Sequence, residues 1–339
     1  MIEAVADAAF APAAASVEAG RIPGAVLGIV TADGRQAVRC AGMAALEPEP
    51  EVLTPGHWFD LASVSKVIAT TTMVLTLAEQ GRIDLDRPLT DAIPDLRQYD
   101  IAAAPERALT FRDCLAHRTF LPAVEPIYTY GDDPERLRAF VLQRQWKHGP
   151  PVYSDINFLY LGIAVERVTG RPLSDWPLGA GLGYGPPPGP AVATERCMWR
   201  GRVMKGEVHD ENCFAMGGAT GHAGLFGTVA GVLGFARGLL DGSGASPATL
   251  AAIRERCEGD RTCGWERRFA GWPGGAACSD ETIGHTGFTG TGLWIDFARG
   301  LAWTLLTNRV HPTRHADSGI FALRPATGDA LIGAWDAAQ

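Results

Sequence analysis

The strongest constraint on the fold is where the strand-forming segments lie: near the two ends of the chain, with a long helix-and-loop stretch between them. In the first third, residues 24–30 alternate small and β-branched side chains, Asp33-Gly34 is a tight-turn signal, and 35–40 supply the return strand. In the last fifth, 293–297, the turn Ala298-Arg299-Gly300 and 301–306 read as two more strands. Helical patterns fill the rest. They cover 2–19 up to Gly20, 63–80 up to Gly81, a short helix opening with an acidic first turn at 110–113, 133–146, 156–168 and 229–240. A last helix is expected to begin near Pro325, since proline suits a first helical turn, and to run to about Trp335. Residues 46–57 and the Gly/Pro-rich 179–190 read as loops. This order predicts an α+β protein in which an antiparallel sheet flanked by helices is assembled from both ends (1–80 and 225–339). A mainly helical lobe (81–224) is inserted between them.

The composition narrows the function. A formal net charge of -8 argues against a sequence-independent nucleic-acid binder, which needs surplus cations to displace counterions. The most apolar run, 67–77, contains Thr70, Thr71 and Thr72 and is too short to span a bilayer. The opening Met1-Ile2-Glu3-Ala4 has no cationic segment, so no signal peptide is read and a cytoplasmic protein is expected. The seven cysteines contain no C-x-x-C pair and read as reduced thiols; the loose group Cys257, Cys263 and Cys278 matches no zinc template. No metal or organic cofactor is expected. His209, Asp210, Glu211 and His222 lack the spacing of a zinc protease and read as hydrogen-bonding or cleft-lining groups. Trp199, Trp265 and Trp272 are expected to be partly exposed.

Chemistry concentrates in Phe59-Asp60-Leu61-Ala62-Ser63-Val64-Ser65-Lys66. Ser63 and Lys66, three apart at a helix start, share one face. The positive end of the helix favours an alkoxide on Ser63, and a neighbouring ammonium can relay a proton. With nine serines and three lysines in the chain, S-x-x-K is expected about 0.08 times by accident. An N-cap serine followed by an exposed lysine would look the same.

The segment resembles the nucleophile motif of the serine β-lactamase and penicillin-binding-protein superfamily, in particular its class C β-lactamase-like branch, which also holds esterases and D-amino-acid peptidases. Two further motifs follow in order. Tyr153-Ser154-Asp155 resembles the family's Tyr-x-Asn element, and His285-Thr286-Gly287-Phe288 its Lys/His-Thr-Gly strand. Arg112-Asp113-Cys114-Leu115-Ala116-His117 is similar to another common family segment. The resemblance implies a serine hydrolase: Ser63 forms an acyl-enzyme, and Tyr153, as partial phenolate or sharing a proton with Lys66, serves as base and then acid. It also implies that the backbone N–H groups of Ser63 and Phe288 form the oxyanion hole, and that Asp155, His285, Thr286 and Gly287 contact a small-molecule substrate (an ester, a peptide or a β-lactam). A true β-lactamase or DD-carboxypeptidase is the near alternative, and a catalytically silent ligand-binding protein the distant one.

Two departures from the family pattern bear on specificity. Asp155 stands where the family has Asn; an ionised carboxylate only accepts hydrogen bonds. It is suited to holding Lys66 charged, and Asn157 would replace the missing amide only if the helix start were shifted. His285 stands where β-lactamases have Lys, and an imidazole titrating near neutral pH is a weaker anion anchor. Both shift the expectation from β-lactams towards an ester or peptide.

Overall fold

A computed structural model describes residues 1–339. The chain opens with helix α1 (Ile2–Glu18), followed by strands β1 (Gly24–Thr31), β2 (Gln36–Ala45), β3 (Glu51–Val52) and β4 (Phe59–Asp60). A π-helical turn (Lys66–Thr71) runs into α2 (Thr72–Glu79). Then come α3 (Phe111–Leu115), α4 (Pro134–Gln143), α5 (Asp155–Thr169), β5 (Leu182–Tyr184), β6 (Ala193–Cys197), β7 (Arg202–Lys205), α6 (Glu211–Ala215) and β8 (Leu225–Gly227). The last part holds α7 (Val229–Asp241), α8 (Pro247–Arg254), β9 (Glu266–Arg267), β10 (Ile283–Thr286), β11 (Gly292–Asp296), β12 (Leu301–Thr307) and α9 (Ile320–Ala337).

Seven strands form one sheet in the order β3-β2-β1-β12-β11-β10-β9, every pairing antiparallel. Both ends of the chain therefore meet at its centre, where Leu27 lies opposite Leu305. Side chains alternate between the faces of a strand, and here both faces are covered. Ala25, Leu27 and Ile29 of β1, with Leu301, Trp303 and Leu305 of β12, join Val5, Ala9, Leu331 and Trp335 from α1 and α9 in one core. Val26 and Val30, with Ala302 and Leu306, join the larger core shared with α2, α5 and α7. Gly28 lies where α7 comes closest: a Cβ there would be 2.5 Å from Val229 Cγ2.

Four expectations need correction. The final helix begins at Ile320, not Pro325, which lies inside it. The carbonyl left without its helical donor belongs to Phe321, which is 82% exposed, so water can satisfy it. The two segments read as loops each hold a short strand: 46–57 contains β3, paired with β2, and 179–190 contains β5, paired with β8. The 281–307 region holds three strands, since β10 precedes the two read from the sequence. Trp265 and Trp272 are buried, and of the three tryptophans expected at the surface Trp199 alone is exposed.

Candidate active site

The short strand β4 is hydrogen-bonded to β8 and delivers the chain to Ser63 through Ala62, whose φ of 47° is left-handed. A non-glycine residue in that region carries about 1–3 kcal/mol of strain, and it persists here because its surroundings over-determine it. The buried Asp60 carboxylate accepts from the N–H of Ala62 (2.8 Å) and of His209 (2.6 Å). Thr289 Oγ donates to the Asp60 carbonyl (2.8 Å) and Thr291 Oγ to that of Leu61 (2.9 Å). The peptide entering Ser63 is thus stitched to the 287–291 turn between β10 and β11.

Beyond Ser63 the helix widens into the π-turn that begins at Lys66, a distortion frequent at functional sites. Lys66 is 0% exposed. Its Nζ donates to Ser63 Oγ (3.0 Å) and to the carbonyl of His222 (3.0 Å), and it pairs with Asp155 at 2.7 Å. Burial lowers its pKa, but the Asp155 carboxylate beside it, with a smaller contribution from Tyr153 whenever that group is ionised, outweighs burial and pushes the pKa up to about 12. Asp155 is the first residue of α5, where the helix dipole favours a carboxylate. The exposed-lysine reading of S-x-x-K therefore does not hold.

Tyr153 lies against Lys66, whose Nζ is 5.0 Å from the ring centroid. Burial raises its pKa, only partly offset by Lys66, so the resting side chain is a neutral phenol, not a partial phenolate. The buried His117, itself at φ 54°, anchors the segment: its Nδ1 accepts from the Ser154 N–H (3.0 Å) and contacts Asn157 Nδ2 (3.2 Å), and its ring centre is 4.6 Å from that of Tyr153. Asn157 is fully buried among these groups and accepts from Thr119 Oγ at 2.7 Å. It does not line the cavity, so it does not replace the missing amide at 155.

Ser63, Tyr153, Asp155, His285, Thr286, Gly287 and Phe288 converge on one cavity of about 650 Å³. His285 is buried, and burial together with the Lys66 and Arg261 charges holds its pKa well below the ordinary histidine value. It is therefore neutral, not titrating near pH 7. Its Nδ1 donates to the Thr286 carbonyl (2.9 Å), leaving Nε2 as an acceptor without a protein partner. The N–H groups of Ser63 and Phe288 have no backbone acceptor.

Sequence reasoning missed the cationic wall opposite. Arg261, Arg309, Arg314 and Arg324 all line the cavity. Arg314 is balanced by Glu195 and Glu211 (2.5 Å each), and Arg261 by Glu266 (3.0 Å). Arg309 and Arg324 have no carboxylate partner; Arg309 donates to the Phe288 carbonyl (2.8 Å) and sits over its ring. With arginine dominating the basic residues throughout the chain, no signal in the sequence singled these four out. The His/acid group resolves into His209–Glu195 and His222–Asp210 pairs, 3.0 Å each, with His209 and Asp210 on the cavity wall. Cys257 and Cys263 approach to 3.9 Å, while Cys278 donates to the Gly274 carbonyl instead.

A serine and a tyrosine gathered on a buried lysine ammonium, beside unpaired backbone donors, is the arrangement of an acyl-transferring serine hydrolase. The beta-lactamase family model matches residues 7–327, and the chain belongs to that family. It is 28% identical to the "N-acetylmuramyl-L-alanine amidase" of Bacillus subtilis (strain 168), over 86% of this chain and 78% of that one. It is also 28% identical to the "Putative D-alanyl-D-alanine carboxypeptidase" of Escherichia coli (strain K12), over 78% and 72% respectively. The fold matches the crystal structure of a beta-lactamase from Sulfitobacter sp. EE-36 with a TM-score of 0.73 at 21% identity, over 100% of this chain and 99% of the other. The protein is a serine hydrolase with a small-molecule substrate.

Proposed function

We propose that the protein cleaves an amide, D-amino-acid peptide or ester through an acyl-enzyme on Ser63, and that Lys66 and Tyr153 manage the proton. The observation that carries this reading is the buried Lys66 ammonium, 3.0 Å from Ser63 Oγ and 2.7 Å from Asp155, with Tyr153 packed against it. The reactive form has a Tyr153 phenolate beside the Lys66 ammonium. Ser63 Oγ bonds to the substrate carbonyl carbon as its proton passes to Tyr153, and the carbonyl oxygen becomes an oxyanion held by the N–H groups of Ser63 and Phe288. Collapse breaks the bond to the leaving group, which takes the proton from Tyr153. Water then repeats the sequence on the acyl-enzyme.

The substrate reading rests on the cavity walls. Arg261 keeps a buried Nη1 without a partner, and Arg309 faces the same space, so an acidic end of the substrate is accommodated there. Val124, Phe288 and Phe321 give the rim an apolar side. A peptide or amide with a free carboxylate suits such walls, and the two relatives are named as an amidase and a carboxypeptidase. Asp155, already engaged by Lys66 and able only to accept, offers nothing to a β-lactam amide oxygen. Parallel assays with a D-Ala-D-Ala peptide, a p-nitrophenyl ester and nitrocefin rank these substrates.

The direct test is Ser63→Ala with a fluorophosphonate probe and intact-mass analysis. The wild-type chain gains one adduct and the variant none, with turnover abolished. A folded wild-type protein that takes no label would turn the reading towards a silent binding protein. We also take 1–80 with 225–339 as a sheet domain and 81–224 as a helical lobe. Supporting this, the large sheet draws only on 24–52 and 266–307, whereas α3 to α6 lie between. A cytoplasmic site of action, away from membrane and nucleic acid, is consistent with seven free cysteines, with the net charge of -8, and with the lack of any helix long and apolar enough to cross a membrane. Cell fractionation checks it.

A further inference from the structure

We propose that Arg324 is a positioning residue for the oxyanion hole: its guanidinium grips the carbonyl of Gly287 and so aims and strengthens the Phe288 N–H as a donor to the reacting carbonyl oxygen. This inference rests on the acyl-enzyme reading above.

Arg324 lies five residues into α9, on the turn of helix that precedes Pro325. It is 5% exposed and has no carboxylate within ion-pair distance. A buried cation without a counter-ion is costly and needs a compensating role. Its Nη2 donates to two backbone carbonyls, Gly287 (2.7 Å) and Thr291 (2.9 Å), the two ends of the turn that carries Phe288. The same ends are tied by the Gly287 N–H to the Thr291 carbonyl (2.8 Å). Burial and the Arg309 charge bring the Arg324 pKa down to about 9, so it remains cationic at neutral pH.

The Gly287 carbonyl and the Phe288 N–H belong to one planar, trans peptide, so they point in opposite directions. Holding the oxygen towards α9 therefore directs the N–H the other way, into the cavity that Ser63 lines. Gly287 packs closely enough on the nucleophile's approach that a Cβ there would lie 2.5 Å from the Leu61 carbonyl. A charged donor on the carbonyl also polarises the peptide, which strengthens its N–H towards a developing anion. Both hydrogen bonds are buried, so water screens that polarisation little.

Two variants test the proposal, Arg324→Lys and Arg324→Gln, each a shorter side chain that can still donate to a buried carbonyl. Three readouts are compared with wild type: kcat and KM on a p-nitrophenyl ester, and the affinity of an arylboronic acid whose tetrahedral Ser63 adduct presents an oxygen to the oxyanion hole. Loss of one such donor elsewhere lowers kcat about 10²–10³-fold. Weakening one is expected to cost Arg324→Gln about 10–100-fold in kcat, with KM within about 2-fold and boronate affinity falling in parallel. Arg324→Lys, which keeps the cation, recovers part of the loss. The proposal is overturned if folded Arg324→Gln keeps wild-type kcat and boronate affinity, if Arg324→Lys recovers nothing relative to Arg324→Gln, or if KM rises while kcat stays unchanged, which would make Arg324 a substrate-binding group. Failure of the underlying reading looks different, since the wild-type protein would then take neither fluorophosphonate nor boronate.

Discussion

The two walls of the cavity handle charge in opposite ways. On the nucleophile side, Lys66 is wholly buried yet neutralised at 2.7 Å by Asp155, and both sit beside a tyrosine kept neutral by burial. On the far side, four arginines are met by only three carboxylates, and Arg309 and Arg324 satisfy themselves on backbone oxygens. A balanced buried cluster holds protons in place and releases them only when a reaction pulls on them. An unbalanced wall does not move protons, because a guanidinium stays charged; it attracts and orients anions. The difference separates a proton-handling wall from a binding wall. Substitutions on the first should act on kcat, and those of Arg261, Arg309 and Arg314 on the second should act on KM; Arg324, held on the Gly287 and Thr291 carbonyls, is the exception and acts on kcat.

The sharpest way to break the division is Lys66→Arg. The charge would be retained but not its placement, because a branched, planar guanidinium cannot take the position of the ammonium 3.0 Å from Ser63 Oγ and 2.7 Å from Asp155. Activity on a p-nitrophenyl ester is expected to fall by about 10³-fold or more, in kcat, with little change in KM. A mild defect would show that Lys66 acts only as a fixed charge. Asp155→Asn comes next. The Asp155 carboxylate raises the pKa of both Tyr153 and Lys66. Removing its charge lowers both, so a larger fraction of Tyr153 is phenolate at a given pH. The acidic limb of the kcat/KM profile should therefore move to lower pH, and cephalosporin acylation should quicken by several-fold. An unmoved limb would exclude Asp155 as the group that tunes this wall.

The proton-handling wall was readable in the sequence because its parts are local. Ser63 and Lys66 share a helical face, Tyr153 and Asp155 sit at one helix start, and the turn at Asp33-Gly34 marks the hairpin that centres the sheet (Gly34, φ +87°). The binding wall was not. Arg261, Arg309, Arg314 and Arg324 come from a loop, the segment beyond β12 and the last helix, and only the antiparallel order of β12, β11 and β10 brings them opposite Ser63. Arg324 was further hidden by Pro325, which local preference places at a helix start; that register leaves Arg324 outside the helix. Trp265 and Trp272 were misjudged for a similar reason. Size and an amphipathic ring suggest a surface, but tertiary packing buries both.

On the binding wall the effects should be smaller and should depend on the substrate. Arg261→Gln removes a cation whose Nη1 is buried and unpaired, and leaves Glu266 as an uncompensated acid beside the cavity. KM for an acidic D-Ala-D-Ala peptide is expected to rise by about 10-fold, while kcat holds and a neutral ester is nearly unaffected. Equal effects on the two substrates would mean that Arg261 shapes the site and does not select charge.

The smallest effect belongs to the apolar rim. Phe321 is 82% exposed on the outer turn of α9, so Phe321→Ala removes little from the folded core and should leave thermal stability within about 0.5 kcal/mol. A hydrophobic leaving group that reaches the rim would lose contact with part of one ring face. At about 25 cal/mol per Å² of apolar area, covering 20–30 Å² corresponds to roughly a 2–3-fold change in KM. A series of esters with lengthening acyl or leaving groups locates the contact, because the variant and wild type should diverge only once the chain is long enough to touch residue 321. Divergence already at the acetate ester would place Phe321 inside the binding wall instead of at its edge.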